Sequence, residues 1–281
     1  MTKHLLKYIF LFLLLTAAIP LRAEGWWEKM EFLKYTPRYF GANAFPIPEM
    51  MGADLGSEWE VEVRGEYHTM PGDKTKDLYA RLYIPIVKGR AGLSVSGVVQ
   101  EWYKTSEAVR DERSAVETSS PIPCFGDVIV NCYYQILRNK KWVDMVISAN
   151  IKTASGSRLC DARFTDADCN IGRNLWEDES CNASFRLQML AGFYCWMTND
   201  TKHRQNDAFC YGAGARGTYR NFLLDCDFSG FNGYRGDGDK PIQLRLKLEY
   251  ELKKNVLSFR YKHGIRDILY DSYSIAYIRK F

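Results

Sequence analysis

The feature that most constrains this chain is the period-two alternation of its last stretch, Pro241–Phe281. Leu244, Leu246, Leu248, Tyr250 and Leu252 interleave with Arg245, Lys247, Glu249, Glu251 and Lys253. Successive side chains of a strand point to opposite faces, so one face of this run is apolar and the other charged. Lys253, Lys254 and Asn255 make a tight turn, after which Leu257, Phe259 and Tyr261 alternate with Ser258, Arg260 and Lys262. A final run sets Tyr273, Ile275, Tyr277 and Phe281 on one face. A soluble sandwich accounts for one such strand. It accounts poorly for a series of long ones with a Leu-, Tyr- and Phe-rich face and an aromatic last residue. A transmembrane barrel, apolar outside and wet inside, accounts for the series because closure pairs every backbone group.

The other end of the chain fits export. Lys3, His4 and Lys7 precede an apolar stretch, Tyr8–Ile19, and Pro20-Leu21-Arg22-Ala23 follows. This reads as a signal peptide over residues 1–23, cut before Glu24. The apolar stretch is short for a hydrocarbon core of about 30 Å, and no Cys follows it for lipoprotein processing. After Ala23 no segment is apolar for long enough to make a transmembrane helix. Aromatics at 14%, charged residues at 26% and a slightly negative mean hydropathy suit strands that are half polar. The net charge of +4 is scattered, without a basic run, so nucleic acid is not an expected partner.

Residues 24–57 hold Trp26-Trp27, Pro37, Pro46 and Pro48. Proline cannot donate to a ladder, so this segment reads as a periplasmic lead or a partial plug in the barrel mouth. Residues 58–281 are expected to form an all-β, antiparallel barrel of about 12 strands. The first runs over Glu58–His68 and the second over Asp77–Val87. A sixth, near Asn170–Asp178, alternates poorly and leaves the count open between 10 and 14. With the C-terminus in the periplasm, the connections near Lys88–Arg90, Arg138–Lys141, Glu179–Asn182, Arg220–Asn221 and Lys253–Asn255 fall on the periplasmic side. All are short. Those at Thr69–Lys76, Thr105–Phe125, Thr153–Cys169, Thr198–Asn206, Asn232–Lys240 and Gly264–Ile268 fall outside and are mostly longer, the usual asymmetry of bacterial barrels.

Three motifs add a resemblance. They are Tyr39-Phe40-Gly41-Ala42-Asn43-Ala44-Phe45-Pro46-Ile47-Pro48; Lys152-Thr153-Ala154-Ser155-Gly156 leading to Asp161-Ala162-Arg163-Phe164-Thr165-Asp166; and Gly236-Asp237-Gly238-Asp239-Lys240-Pro241. In them the chain resembles a group of Bacteroidetes outer-membrane β-barrel proteins of porin-like or transporter-like character. The resemblance implies a barrel in the cell outer membrane and leaves the substrate open. Cys160 and Cys169 depart from the group's pattern.

Eight Cys in an exported chain permit disulfides, and Cys160 with Cys169, expected in one outer loop, form the candidate pair. Cys132 and Cys226 read as small apolar residues facing lipid. Asp166, Asp168, Asn170 and Glu177 have the spacing of a calcium loop, but Ile171 stands where that loop needs Gly. A solvated acidic loop is the simpler reading, and no cofactor is expected. His68, His203 and His263 have no adjacent nucleophile motif, so catalysis is not expected. A hydrolase or acyltransferase acting on outer-membrane lipid or lipopolysaccharide is the alternative.

The inward rows carry the functional reading. Glu58, Glu60, Glu62, Arg64 and Glu66 make an acidic wall; Arg81, Arg245, Lys247 and Arg260 are basic, and Asp225, Asp227 and Glu249 add acid. Charges inside a barrel need water or each other. The expected partners are outer-membrane lipid, the barrel assembly machinery, which would read the terminal Phe281, and small solutes. The expected function is passive or gated solute passage, and the rival is a closed structural or surface-binding barrel.

Overall fold

The computed structural model describes residues 38, 40–113, 118–119, 125–138, 142–153, 164–197, 205–236 and 238–281. The expected signal peptide (residues 1–23), Trp26-Trp27, Cys124, Cys160 and His203 therefore lie outside the described residues. The strands are β1 (Glu60–Met70), β2 (Asp73–Val87), β3 (Ala91–Thr105), β4 (Val128–Arg138), β5 (Asp144–Lys152), β6 (Phe164–Asp178), β7 (Ala183–Met197), β8 (Gln205–Tyr219), β9 (Phe222–Gly233), β10 (Ile242–Leu252), β11 (Asn255–Arg266) and β12 (Asp271–Lys280). Each pairs with its sequence neighbours, and β1 pairs with β12 to close one antiparallel barrel. The seam sets Val63 opposite Tyr277 and Gly65 opposite Ile275. Phe281 N extends it by donating to Trp59 O at 3.0 Å. A short helix, α1 (Glu107–Glu112), lies between β3 and β4. No described helix is long and apolar enough to cross a membrane.

Alternation explains both faces. Val61, Val63, Leu187, Met189, Leu224, Phe228, Leu246, Phe259 and Ile275 are exposed on the outer surface. Their neighbours Glu62, Arg64, Gln188, Asp225, Asp227, Arg245, Ser258 and Ser274 are buried within. One rim carries the brief connections 88–90, 139–143, 179–182, 220–221 and 253–254. The other carries 71–72, 106–127, 153–163, 198–204, 234–241 and 267–270.

Three expectations need correction. The β1–β2 connection is not Thr69–Lys76 but the pair Pro71-Gly72, with Thr69 opposite Lys74 and Met70 opposite Asp73. Proline presets the first turn position, and Gly72 takes the positive φ (79°) that the second requires. The sixth strand begins at Phe164, not near Asn170. Its outward residues Thr165, Ala167 and Cys169 are too small or polar to show an apolar row, and a bulge between Asn174 and Trp176 breaks the phase. That strand also removes the calcium loop. Asp166, Asp168 and Asn170 share an inward row, while Glu177 stands far along the same extended strand, at about 3.3 Å per residue. Cys169 is a free thiol on β6 rather than a loop residue, and its expected partner Cys160 lies outside the described residues.

Candidate functional site

The lumen contains the chain's own N-terminal segment. Pro46 and Pro48 keep it out of the sheet, so inward side chains satisfy its backbone instead. Arg245 Nη1 donates to Pro48 O at 3.0 Å and Ser229 Oγ to the same oxygen at 2.9 Å. Met51 N donates to Asn170 Oδ1 (3.1 Å) and Arg186 Nε to Gly52 O (2.7 Å). Gln135 clamps the next turn, giving Nε2 to Ala53 O and taking Leu55 N, both at 3.0 Å. Tyr83 OH reaches Gly56 O at 3.1 Å, just before β1 begins. At the opposite rim Arg38 N bonds Gly238 O. The segment thus runs the length of the barrel, from the long-connection rim to the short-turn rim.

An apolar cluster anchors its upper end. Phe45 is buried against Trp196, with ring centroids 5.8 Å apart, and Tyr194 stacks on Phe231 at 4.7 Å. Ile47, Met50, Leu190, Ile268 and Tyr270 complete the cluster. Reading β7 for its outward row alone misses this. The signal was present, because Met189–Trp196 is apolar on both faces, and a strand apolar on both faces is covered on both.

The expected lumen residues come together as paired walls. Glu62 lies at the centre of one group, with Arg64 at 2.9 Å, Arg81 at 3.0 Å and Arg260 at 3.3 Å. Arg64 also meets Glu66 at 2.9 Å and lies 3.9 Å over the Tyr79 ring; Arg81 also meets Glu60 at 3.1 Å. Arg245 binds Asp227 (2.6 Å), Arg216 binds Asp225 (2.5 Å), and Lys247 binds Glu249 (3.3 Å). Glu58 is at the short-turn rim, paired with Lys254 at 3.0 Å, because β1 starts only at Glu60. Asp166 and Asp168, singled out for calcium, are buried on this inner wall. Glu49 of the N-terminal segment joins the network through Lys262 (3.3 Å) and Arg260 (3.6 Å).

The segment leaves space beside it. A cavity of about 430 Å³ lies between it and the far walls, lined among others by Glu62, Arg81, Tyr133, Lys152, Asp168 and Arg260. The Glu49 side chain is 48% exposed within the lumen, so water fits beside it. Charges of both signs face it. At the long-connection rim Tyr270 donates to Asp73, and Arg113 Nη2 donates to the Tyr270 phenol oxygen at 2.8 Å. Burial raises the Tyr270 pKa above its ordinary value; Arg113 opposes the rise and Asp73 adds to it, so the phenol keeps its proton.

Two histidines are described near this rim. His263 is exposed, with Nδ1 2.7 Å from Asp271. His68 is buried, with Nδ1 2.7 Å from Ser272 Oγ and Nε2 2.9 Å from Asp77 Oδ2. Nothing in the sequence foretold that arrangement, because β12 and β2 bring the partners from opposite ends of the chain.

A closed twelve-stranded antiparallel barrel, apolar outside and charged within, has the architecture of outer-membrane β-barrels. No known protein family and no curated protein matches the chain by sequence. Among solved structures it is similar to an outer-membrane channel from Pseudomonas putida F1 (TM-score 0.57, 11% identity, 85% of this chain and 97% of that one). It is also similar to the KdgM porin in complex with disordered oligogalacturonate (0.50, 12%, 79% and 99%). A third likeness is to the transport unit of the autotransporter AIDA-I from Escherichia coli (0.50, 10%, 88% and 100%). At these identities the likeness is one of fold.

Proposed function

We propose that this protein is an integral outer-membrane channel for small polar solutes or ions, with its own N-terminal segment controlling the open width. The observation that carries the reading is the two-signed cavity of about 430 Å³ beside that segment. A barrel built only for structure has no need of it, and twelve strands leave room for a narrow path. The apolar outer belt suits lipid, and the rim with short turns faces the periplasm, as in bacterial barrels. Porin-like neighbours in fold support passage rather than catalysis.

Single-channel recording in a planar bilayer tests this. The full mature chain is expected to conduct weakly and intermittently. A Phe45→Ala, Ile47→Ala variant, with its upper anchor removed, is expected to conduct more and for longer. Silence from both proteins, when both migrate as folded barrels on an unheated gel, would leave a closed barrel as the answer.

The hydrogen-bonded order Ser272–His68–Asp77 favours a hydrolase as the second reading. Turnover of a p-nitrophenyl ester or a phospholipid, lost in Ser272→Ala, would establish it.

A further inference from the structure

Glu66, Asp77 and Glu101 stand side by side on β1, β2 and β3. Glu66 is opposite Asp77, and Asp77 is opposite Glu101. All three are buried. Directly opposed like charges destabilise a sheet, and a buried carboxylate needs a compensating cation. Glu66 has Arg64 on one oxygen and Lys262 3.8 Å from the other. Neither Asp77 nor Glu101 has a Lys or Arg partner among the described residues. Both accept hydrogen bonds from the same Asn43 amide, at 2.9 and 2.6 Å, and Asp77 Oδ1 has no hydrogen-bond partner although the side chain is wholly buried. Positive charge is short at this point of the wall.

The missing charge has a set of donors ready. One carboxylate oxygen of Glu66, one ring nitrogen of His68 and one carboxylate oxygen of Asp77 lie within 4.8 Å of one another. We infer that Glu66, His68 and Asp77 bind one divalent cation of the kind that accepts imidazole and carboxylate together, with zinc as the type ion. Ser272 supports this. If His68 Nδ1–H donates to Ser272 Oγ, the Nε2 lone pair faces the carboxylates, which is the outer hydrogen bond a ligating histidine ordinarily makes. Activation of Ser272 as a nucleophile needs the opposite tautomer, with Nδ1 bare and Nε2–H on Asp77. The two uses of His68 exclude each other, and the surplus of carboxylate favours the metal. Glu66 and His68 line the luminal cavity, so an ion reaches the site through water. The inference does not depend on solute passage.

The test uses the full mature chain refolded in detergent, stripped with a chelator, loaded with zinc alone and desalted. Elemental analysis is expected to find one zinc per chain in the native protein. His68→Ala and Asp77→Asn should weaken retention at least tenfold in competition with a colorimetric chelator. His263→Ala, which removes the exposed histidine at the same rim, should leave it unchanged. The zinc absorption edge of the native protein should read a single imidazole with oxygen ligands, which keeps the question open to measurement even if the variants do not fold. Native protein without stoichiometric zinc would overturn the site. Equal retention by folded His68→Ala and Asp77→Asn, or a spectrum without imidazole, would overturn it as well.

Discussion

At the scale of single residues, the lumen shows how a buried charge is kept. Arg245 sends Nε and Nη2 to Asp227, Nη2 also to Ser229, and Nη1 to the carbonyls of Ile47 and Pro48. One guanidinium therefore ties β10 to β9 and to the segment inside the barrel. Arg245→Met leaves Asp227 buried without a partner, and the expected loss is about 3–5 kcal/mol. Urea unfolding of the detergent-folded barrel measures it. The double variant Arg245→Met, Asp227→Leu should regain part of the loss, since removing both charges ends the mismatch. A loss below about 1 kcal/mol would show that water screens the pair as it does at a surface.

At the scale of elements, the inner segment stands apart from the sheet. Apart from the Arg38–Gly238 backbone bond at the rim, it is held by side chains, so its release would leave the barrel's ladder intact. Gly52 has φ 72°, and a Cβ there would collide with the Arg216 guanidinium. Gly52→Ala combines backbone strain with that clash, while Phe45→Ala removes a fully buried ring at a cost of about 3–5 kcal/mol. Both should raise amide exchange across residues 44–56 without raising it in β1–β12. Uniform protection of the segment in Phe45→Ala would mean that the polar clamps alone hold it. The same element shows a limit of sequence reading. Pro46 and Pro48 exclude a strand, but they do not say which wall of a barrel the segment will lie against.

At the scale of the whole molecule, closure brings β1 beside β12 and gathers Arg64, Arg81 and Arg260 from β1, β2 and β11 around Glu62. Replacing Glu60 and Glu62 with Gln takes both counter-charges from Arg81 and leaves Arg64 with Glu66 alone and Arg260 with Glu49 alone. If the cavity is the path, the reversal potential in a salt gradient should shift toward anions by an amount that falls as ionic strength rises. Val61→Gln, Val63→Gln instead places polar groups on the outer belt and should lower the folded fraction on an unheated gel. An unchanged reversal potential in a conducting Glu60→Gln, Glu62→Gln protein would separate these charges from the path.

The sequence by itself determined what depends on local period. Strand faces follow from alternation, so the outward row Leu244–Leu252 and the inward Asp225, Asp227, Arg245 and Lys247 were legible residue by residue. Twelve strands and one closed antiparallel order followed from those rows and from the lengths of the connections between them. Signals with weak local chemistry failed, as with β6, whose small outward residues and bulge hid a long strand and made its inward acids look like a calcium loop. Only the tertiary structure decided what depends on contacts between distant parts of the chain. Which acid meets which base, where Phe45 docks, how much lumen remains open, and that His68 lies between Ser272 and Asp77 are all set by barrel closure and register. A one-residue change in register exchanges every inward partner, and no alternation within a single strand records it.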